Sequence, residues 1–106
     1  MSNPIDVGVL GATGMVGQQF VQDLSRHPWF RLVWLGASVR SAGKKYQEAT
    51  AWRLPGPMPA EAAGRIVEEC TPVGAPKLVF SGLDASVAGE VERSFAESGR
   101  VIVSNA

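Results

Sequence analysis

Three glycines at three-residue spacing, Gly11, Gly14 and Gly17, form the first pattern in the sequence that could do chemistry. They follow a short apolar run and precede an amphipathic segment, which predicts a strand, a tight turn and a helix N-terminus. The first N–H groups of a helix lack intrahelical acceptors and lie at the positive end of its dipole, so this unit can bind an anion. Thr13 adds a hydroxyl that can donate to a phosphate or cap the helix.

The glycine spacing departs from the dinucleotide fingerprint G-x-G-x-x-G, because the first glycine comes one residue early. The physical roles are shared. Gly11 and Gly14 allow a tight turn and a close approach of the backbone to a pyrophosphate, and Gly17 lets the helix pack near the strand. A glycine-rich turn that binds nothing is the alternative, but the strand before it and the helix and second strand after it favour nucleotide binding.

The end of the second predicted strand indicates which nucleotide would bind. NAD sites usually place an Asp or Glu there to hold the ribose 2′-hydroxyl. Residues 36–41 (GASVRS) contain no carboxylate. Arg40 can instead pair with a 2′-phosphate, and Ser38 and Ser41 can donate hydrogen bonds to it. The pattern predicts NADP, and a solvated surface loop is the alternative.

Two other strand ends are candidates for the same crevice. Ser81 and Gly82 end the third major strand, and Asn105 follows the last one. Ligands of doubly wound sheets lie beyond the carboxyl ends of the strands. Simple strand-to-loop turns would explain these residues equally well.

The single cysteine, Cys70, and the single histidine, His27, are interpreted as structural. Nothing near Cys70 in the sequence would activate its thiol, and buried cysteines are common. His27 precedes Pro28 at the end of the first predicted helix, where a histidine usually interacts with the helix dipole. No metal site is expected, because neither a second histidine nor a cysteine cluster accompanies them.

Alternating strands and helices position these residues. Strands are predicted over 5–10, 31–36, 77–81 and 101–103, with a weak edge strand over 65–71, a short helix over 46–53 and a loop over 54–59. One helix runs from Thr13 or Gly14 to about Arg26, with an apolar stripe from which Gln18 is excluded. A second helix covers 85–97, with Asp84 as N-cap, Val87 in its apolar stripe and Gly99 at C′. The pattern predicts a Rossmann-like α/β fold, a doubly wound, mostly parallel sheet with helices on both faces.

Composition limits the class of protein. The 106 residues suffice for one domain, and 45% hydrophobic with 19% charged residues is typical of a globular chain. Ten basic and ten acidic residues give no electrostatic reason to expect a nucleic-acid partner. No membrane partner is expected, since no apolar run approaches the roughly 18 residues of a membrane span. We therefore expect a soluble, cytoplasmic protein.

Four segments in order, GATGMVGQQFVQ, GASVRSAGKKY, VFSGLD and VSNA, resemble the aspartate-β-semialdehyde dehydrogenase family, above all its fungal and archaeal branch. The resemblance covers essentially the whole chain. The glycine motif alone is shared with acetylglutamyl-phosphate reductases and epimerases, whereas the A-S-x-R-S-A-G-K run is much more specific.

The resemblance implies NADP as cofactor and a reductive dephosphorylation of aspartyl phosphate to aspartate semialdehyde, a step toward lysine, threonine and methionine. It also implies three groups of cofactor-binding residues. These are Gly11 with Thr13, Gly14, Met15 and Val16 at the phosphates; Ser38, Arg40 and Ser41 at the 2′-phosphate; and Ser81, Gly82 and Asn105 toward the ribose and nicotinamide.

The family's catalytic cysteine and histidine have no counterpart in these 106 residues, and Cys70 matches no catalytic position. We therefore expect residues 1–106 to be an N-terminal NADP-binding domain without its catalytic and dimerisation domain, inactive alone and meeting aspartyl phosphate only through that domain. Apolar surface exposed near the last strand would favour self-association. Two alternatives stay open, a non-catalytic NADP-sensing or interaction module and the cofactor domain of an acetylglutamyl-phosphate reductase.

Overall fold

The structure is a computed structural model that describes residues 3–104, and it contains a five-stranded sheet with helices packed against it. The strands are β1 (Ile5–Leu10), β2 (Phe30–Ala37), β3 (Glu68–Glu69), β4 (Leu78–Ser81) and β5 (Val101–Ser104). The helices are α1 (Met15–Ser25), α2 (Tyr46–Ala49), α3 (Ala60–Ala63) and α4 (Ala85–Glu97). The strand order is β3-β2-β1-β4-β5, and all four strand pairings are parallel. The predicted Rossmann-like α/β fold is confirmed.

The central strand β1 is buried on both faces, which explains its nearly continuous apolar sequence. Val7 and Val9 belong to a core that includes Val21 and Leu24 of α1. Leu10 belongs to a second core, which includes Phe95 of α4. The two cores occupy opposite faces of the sheet because successive strand side chains point in opposite directions.

Two glycines in neighbouring strands make room for the indole of Trp34. A Cβ on Gly8 would lie 2.9 Å from the Trp34 ring, and a Cβ on Gly36 would lie 2.6 Å from it. The ring packs edge-on against Phe95 of α4, with centroids 5.9 Å apart. These contacts fix α4 against the sheet on the face opposite α1.

Helix α4 has the predicted bounds, and its ends differ in how they are capped. Gly99 has φ +88°, its N–H donates to the Ala96 carbonyl, and the Arg100 N–H donates to the Phe95 carbonyl. This pair of bonds is the Schellman motif that a C′ glycine allows. Asp84 is the N-cap, but its side chain makes no capping hydrogen bond.

The predicted helix over 46–53 is wrong in length, because α2 ends at Ala49 and Thr50 is extended. The buried amide of Gln18 explains the early end, since it donates to the Ala51 carbonyl and accepts from the Arg53 N–H. The predicted edge strand over 65–71 is confirmed as an edge, but only Glu68 and Glu69 pair with β2.

Within residues 3–104, no helix is long and apolar enough to cross a membrane. In the same part of the chain, no group of three histidine, cysteine, aspartate or glutamate side chains is placed to hold a metal ion.

Candidate nucleotide-binding site

The topology creates a crevice beyond the carboxyl ends of β1 and β4. The chain passes from β1 to β2 on one side of β1 and later returns to place β4 on the other side. Leu10 and Ser81 are paired at the strand ends, and the Gly82 N–H donates to the Leu10 carbonyl at 2.9 Å. Ligands of open α/β sheets bind at such a switch point.

The glycine-rich turn stands at this point and opens helix α1. Gly11 has φ +71°, and its carbonyl accepts from the Gly14 N–H at 3.1 Å. The first bond of the helix runs from the Gln18 N–H to the Gly14 carbonyl at 2.8 Å. The N–H groups of Met15, Val16 and Gly17 therefore have no intrahelical acceptor, and they provide the positive end that the sequence predicted.

Three glycines of the crevice are required by packing. A Cβ on Gly11 would lie 3.1 Å from the backbone of Gly82, and one on Gly82 would lie 2.6 Å from the Gly17 nitrogen. A Cβ on Gly17 would overlap the carbonyl oxygen of Gly11. The turn, α1 and the end of β4 thus meet backbone to backbone.

Gly14 differs from these three. A Cβ there would meet only the Gly11 carbonyl oxygen, at an ordinary contact distance of 3.7 Å. Gly14 is exposed and lines the crevice. Packing within the chain therefore does not require a glycine here, although glycine is favoured over alanine at an N-cap.

A cleft of about 220 Å³ joins the glycine turn to the ends of β2 and β4. Its walls are formed by Gly11, Thr13, Gly14, Ala37, Ser38, Gly82, Leu83, Asp84 and Val87. Thr13 and Ser38, predicted from separate motifs, therefore line one cleft.

Leu83, Asp84 and Val87 were missed as lining residues. The sequence placed Val87 in the apolar stripe of α4, yet the side chain is 49% exposed. Asp84, whose side chain makes no capping hydrogen bond, places its carboxylate on the wall of the cleft. The position of Leu83 and Asp84 shortly after β4 could have indicated their role, because ligands of open α/β sheets lie beyond the carboxyl ends of the strands, whereas Val87 lies inside α4.

A second cavity of about 340 Å³ shares Ala37, Ser38, Leu83 and Val87 with the cleft and extends it toward Cys70. Val39 and Val91 add aliphatic side chains to its walls, and Glu69 and Thr71 add polar ones beside Cys70. The Cys70 thiol donates to the Ala37 carbonyl at 3.5 Å, and burial raises the pKa of Cys70. Burial thus disfavours the thiolate, which is the reactive form of a cysteine.

Arg40 and Ser41 lie in the turn after Ser38, beside the cleft and not in its walls. The Ser41 and Ala42 N–H groups both donate to the Ser38 carbonyl, at 2.9 and 3.0 Å. Arg40 is exposed, and its guanidinium makes no hydrogen bond or ion pair within residues 3–104. Its charge is therefore available to an external anion.

The remaining predicted residues differ in accessibility. Met15 is 52% exposed and Val16 39%, both on the first turn of α1. Ser81 is fully buried, and its hydroxyl accepts from the Leu83 N–H at 3.5 Å, so it supports the strand end from within. Asn105 lies outside the described residues. His27 lies just before the amino end of β2, away from the crevice, and its Nδ1 accepts from the Trp29 N–H at 3.1 Å.

Two buried polar side chains behind the glycine turn were also missed. The Tyr46 hydroxyl donates to the Ala12 carbonyl at 2.6 Å, and burial raises the pKa of Tyr46, so the hydroxyl keeps its proton. The Gln18 amide donates to the Thr13 carbonyl at 3.0 Å. Gln18 is only 1% exposed, so its placement off the buried face of α1 is wrong.

Residues 6–106 match the protein family described as semialdehyde dehydrogenase, NAD binding domain. The aspartate-semialdehyde dehydrogenase of Candida albicans is 53% identical over 102 residues, which cover 93% of this chain and 28% of that protein. The aspartate-semialdehyde dehydrogenase of Methanothermobacter thermautotrophicus is 50% identical over 104 residues, which cover 96% of this chain and 30% of that protein.

The crystal structure of the Candida albicans enzyme with NADP has a TM-score of 0.94 to this chain at 50% identity, covering 98% of this chain and 30% of that one. The chain thus spans less than a third of the length of these relatives. The predicted resemblance to the fungal and archaeal branch is confirmed, and the acetylglutamyl-phosphate reductase and sensing-module alternatives are not favoured. A match over nearly its full length shows that the chain belongs to the semialdehyde dehydrogenase NAD-binding domain family.

Proposed function

We propose that this chain is the NADP-binding part of an aspartate-semialdehyde dehydrogenase and that it holds the dinucleotide beyond the carboxyl ends of β1, β2 and β4. The observation that carries the proposal is the open N-terminus of α1, which shares one cleft with Ser38 from the end of β2. The Candida albicans relative, whose crystal structure contains NADP, supports the choice of cofactor.

The residues around the glycine turn fit a pyrophosphate. The free N–H groups of Met15 and Val16 are donors at the positive end of a helix, and the Thr13 hydroxyl has no partner within residues 3–104. Gly11 and Gly14 keep side chains out of the path of the phosphates. The adjoining aliphatic cavity beside Leu83 and Val87 suits a flat, apolar adenine ring.

The loop after β2 fits a 2′-phosphate. The unpaired guanidinium of Arg40 can make two parallel charge-assisted hydrogen bonds to a phosphate, and Ser38 and Ser41 add hydroxyl donors. Residues 36–41 hold no carboxylate that would repel this phosphate. Gly82, Ser81 and Asn105 stay predictions for the ribose and nicotinamide, with Ser81 acting from beneath the cleft.

Bound NADPH would supply a hydride, while the residues of this chain bind and orient the dinucleotide. We propose that the whole enzyme reductively dephosphorylates aspartyl phosphate to aspartate semialdehyde, in the cytoplasm, on the route to lysine, threonine and methionine. The catalytic cysteine and histidine are assigned to a part of that enzyme outside residues 1–106, where aspartyl phosphate would bind. The small share of the relatives' length covered by this chain supports this division.

Calorimetric titration of the chain with NADP and with NAD tests the proposal. We expect NADP to bind more tightly by about 10- to 100-fold, because a charge-assisted hydrogen bond contributes roughly 1.5–3 kcal/mol. Equal affinities would overturn the assignment of the 2′-phosphate site. Binding of neither dinucleotide would overturn the proposed function.

A further inference from the structure

The carbonyls of the glycine turn are held from behind by the two buried side chains described above. The Tyr46 hydroxyl bonds the Ala12 carbonyl and the Gln18 amide bonds the next one, that of Thr13. Both side chains are almost completely buried, and neither lines the cleft. They therefore contact the turn from outside the cleft.

This arrangement fixes the direction of an N–H group. The Ala12 carbonyl and the Thr13 N–H belong to one planar trans peptide, so they point in opposite directions. A carbonyl held inward by Tyr46 therefore turns the Thr13 N–H outward. Thr13 lines the cleft, and its N–H has no acceptor within residues 3–104.

Tyr46 also connects the turn to the basic loop after β2. Its own N–H donates to the Arg65 carbonyl at 2.8 Å, next to a bridge between Lys45 and Ile66. On the loop side, the Gly43 N–H donates to the Val67 carbonyl at 2.8 Å. Gln18 reinforces the link by bonding the backbone at Ala51 and Arg53.

We propose that Tyr46 is a positioning residue that aims the Thr13 N–H at the pyrophosphate of the bound dinucleotide, while Gln18 holds the following peptide, that of Thr13 and Gly14, in place. The inference rests on the proposed function. A carbonyl released from these donors could rotate toward the phosphates and repel them, while the freed N–H would turn away. Their effect therefore falls on the phosphates common to NAD and NADP and not on the 2′-phosphate.

The variant Tyr46→Phe tests this, because it removes the hydroxyl and leaves the buried ring. We expect its affinity for NADP and for NAD to fall by the same factor, about 5- to 10-fold, so that the ratio between them stays unchanged. The affinity for adenosine 2′-monophosphate, which has no pyrophosphate, should stay at the wild-type value. In amide NMR spectra, the shift of the Thr13 N–H on adding NADP should shrink.

Ser25→Ala is the matched control, since the Ser25 hydroxyl also donates to a backbone carbonyl at 2.6 Å, at the far end of α1. It should bind both dinucleotides like the wild type. Titrations are made well below the melting temperature of each variant, so that lost stability does not imitate lost affinity. Should Tyr46→Phe not fold, the wild-type amide spectrum is the second test. The Thr13 N–H resonance must shift on adding NADP and on adding NAD but not on adding adenosine 2′-monophosphate, and no shift with either dinucleotide would overturn the inference.

Wild-type affinities in a folded Tyr46→Phe protein would overturn this inference and leave the proposed function intact. A loss confined to NADP would also overturn it, because it would place the effect at the 2′-phosphate. A wild-type chain that binds neither dinucleotide would overturn the proposed function and this inference with it.

Discussion

Replacing Gly14 and Gly17 in turn by alanine separates a glycine that serves a ligand from one that serves the fold. In Gly17→Ala, the new methyl group would overlap the Gly11 carbonyl oxygen and lie 2.6 Å from the Gly11 carbonyl carbon and 2.8 Å from the Ala12 Cα. All three neighbours are backbone atoms, so no side-chain rotation relieves the clash. Overpacking commonly costs 1–3 kcal/mol, and a backbone clash belongs at the upper end, about 3 kcal/mol.

In Gly14→Ala, the methyl group meets one atom at 3.7 Å, and φ −83° with ψ 173° suits alanine. The lower entropy of the unfolded chain should stabilise this variant by about 0.4–1 kcal/mol. The preference for glycine over alanine at an N-cap should destabilise it by a similar amount, so the two effects offset each other. The melting temperature should therefore change by less than about 5 °C, whereas Gly17→Ala should lower it by roughly 12 °C or more. NADP affinity in Gly14→Ala should fall at least about tenfold, because the methyl group stands where the phosphates approach.

Thermal unfolding by circular dichroism and calorimetric titration with NADP measure the two effects. Gly89→Ala is the matched control, because Gly89 lies inside α4 with nothing within 4 Å of a Cβ, and it should stabilise the protein slightly without changing affinity. Wild-type NADP affinity in Gly14→Ala would refute the ligand explanation of Gly14. An unchanged melting temperature in Gly17→Ala would refute the packing explanation of Gly17.

Three other outcomes are expected. Arg40→Ala should lose about 10-fold or more in NADP affinity and little in NAD affinity. Arg93 is an exposed arginine on α4, and the control Arg93→Ala should change neither affinity. A parallel loss for both dinucleotides would contradict the assignment of Arg40. Saturating NADP should slow the alkylation of Cys70 by iodoacetamide, because this thiol lines the adjoining cavity. The rate is measured by mass spectrometry above pH 9, since burial raises the pKa of the thiol. An unchanged rate would argue against nucleotide in that cavity. Val101 and Val103 are 52% and 42% exposed on the edge strand β5 and should favour self-association of the chain. Light scattering should show less association in Val101→Lys than in the wild type. A wild type that stays monomeric at high concentration would contradict this.

Local patterns predicted much of this fold because several elements depend on local rules. The apolar run of β1 and the i, i+4 spacing of α4 fix both elements at their predicted bounds, 5–10 and 85–97. Gly99 ends α4 because a left-handed residue is needed there. The glycine turn at the switch point follows equally from a strand, three glycines and a helix.

Other features depend on contacts between distant parts of the chain. Gln18 is polar and therefore predicted off the buried face, but the carbonyl of Ala51 and the N–H of Arg53 satisfy it in the interior. The same bonds end α2 early, which no helix propensity indicates. Val87 keeps the spacing of a core residue, yet it faces a cleft that exists only once β4 lies beside β1. The cofactor contacts of Ser38, Arg40 and the other site residues stay predictions until the titrations are made.

The all-parallel order β3-β2-β1-β4-β5 also determines when the cleft is complete during folding. β1 and β2 can pair early in synthesis, but Leu10 finds its second partner, Ser81, only after β4 has emerged. The glycine turn therefore emerges before Gly82 and Leu83, which form the opposite wall of the cleft. Contacts between such distant parts of a chain form slowly. A ligand that needs both walls binds the finished sheet alone and stabilises it by about 2.7 kcal/mol at 100 times its Kd. Cofactor supply in the cell would thus act as a late check on the folding of this domain.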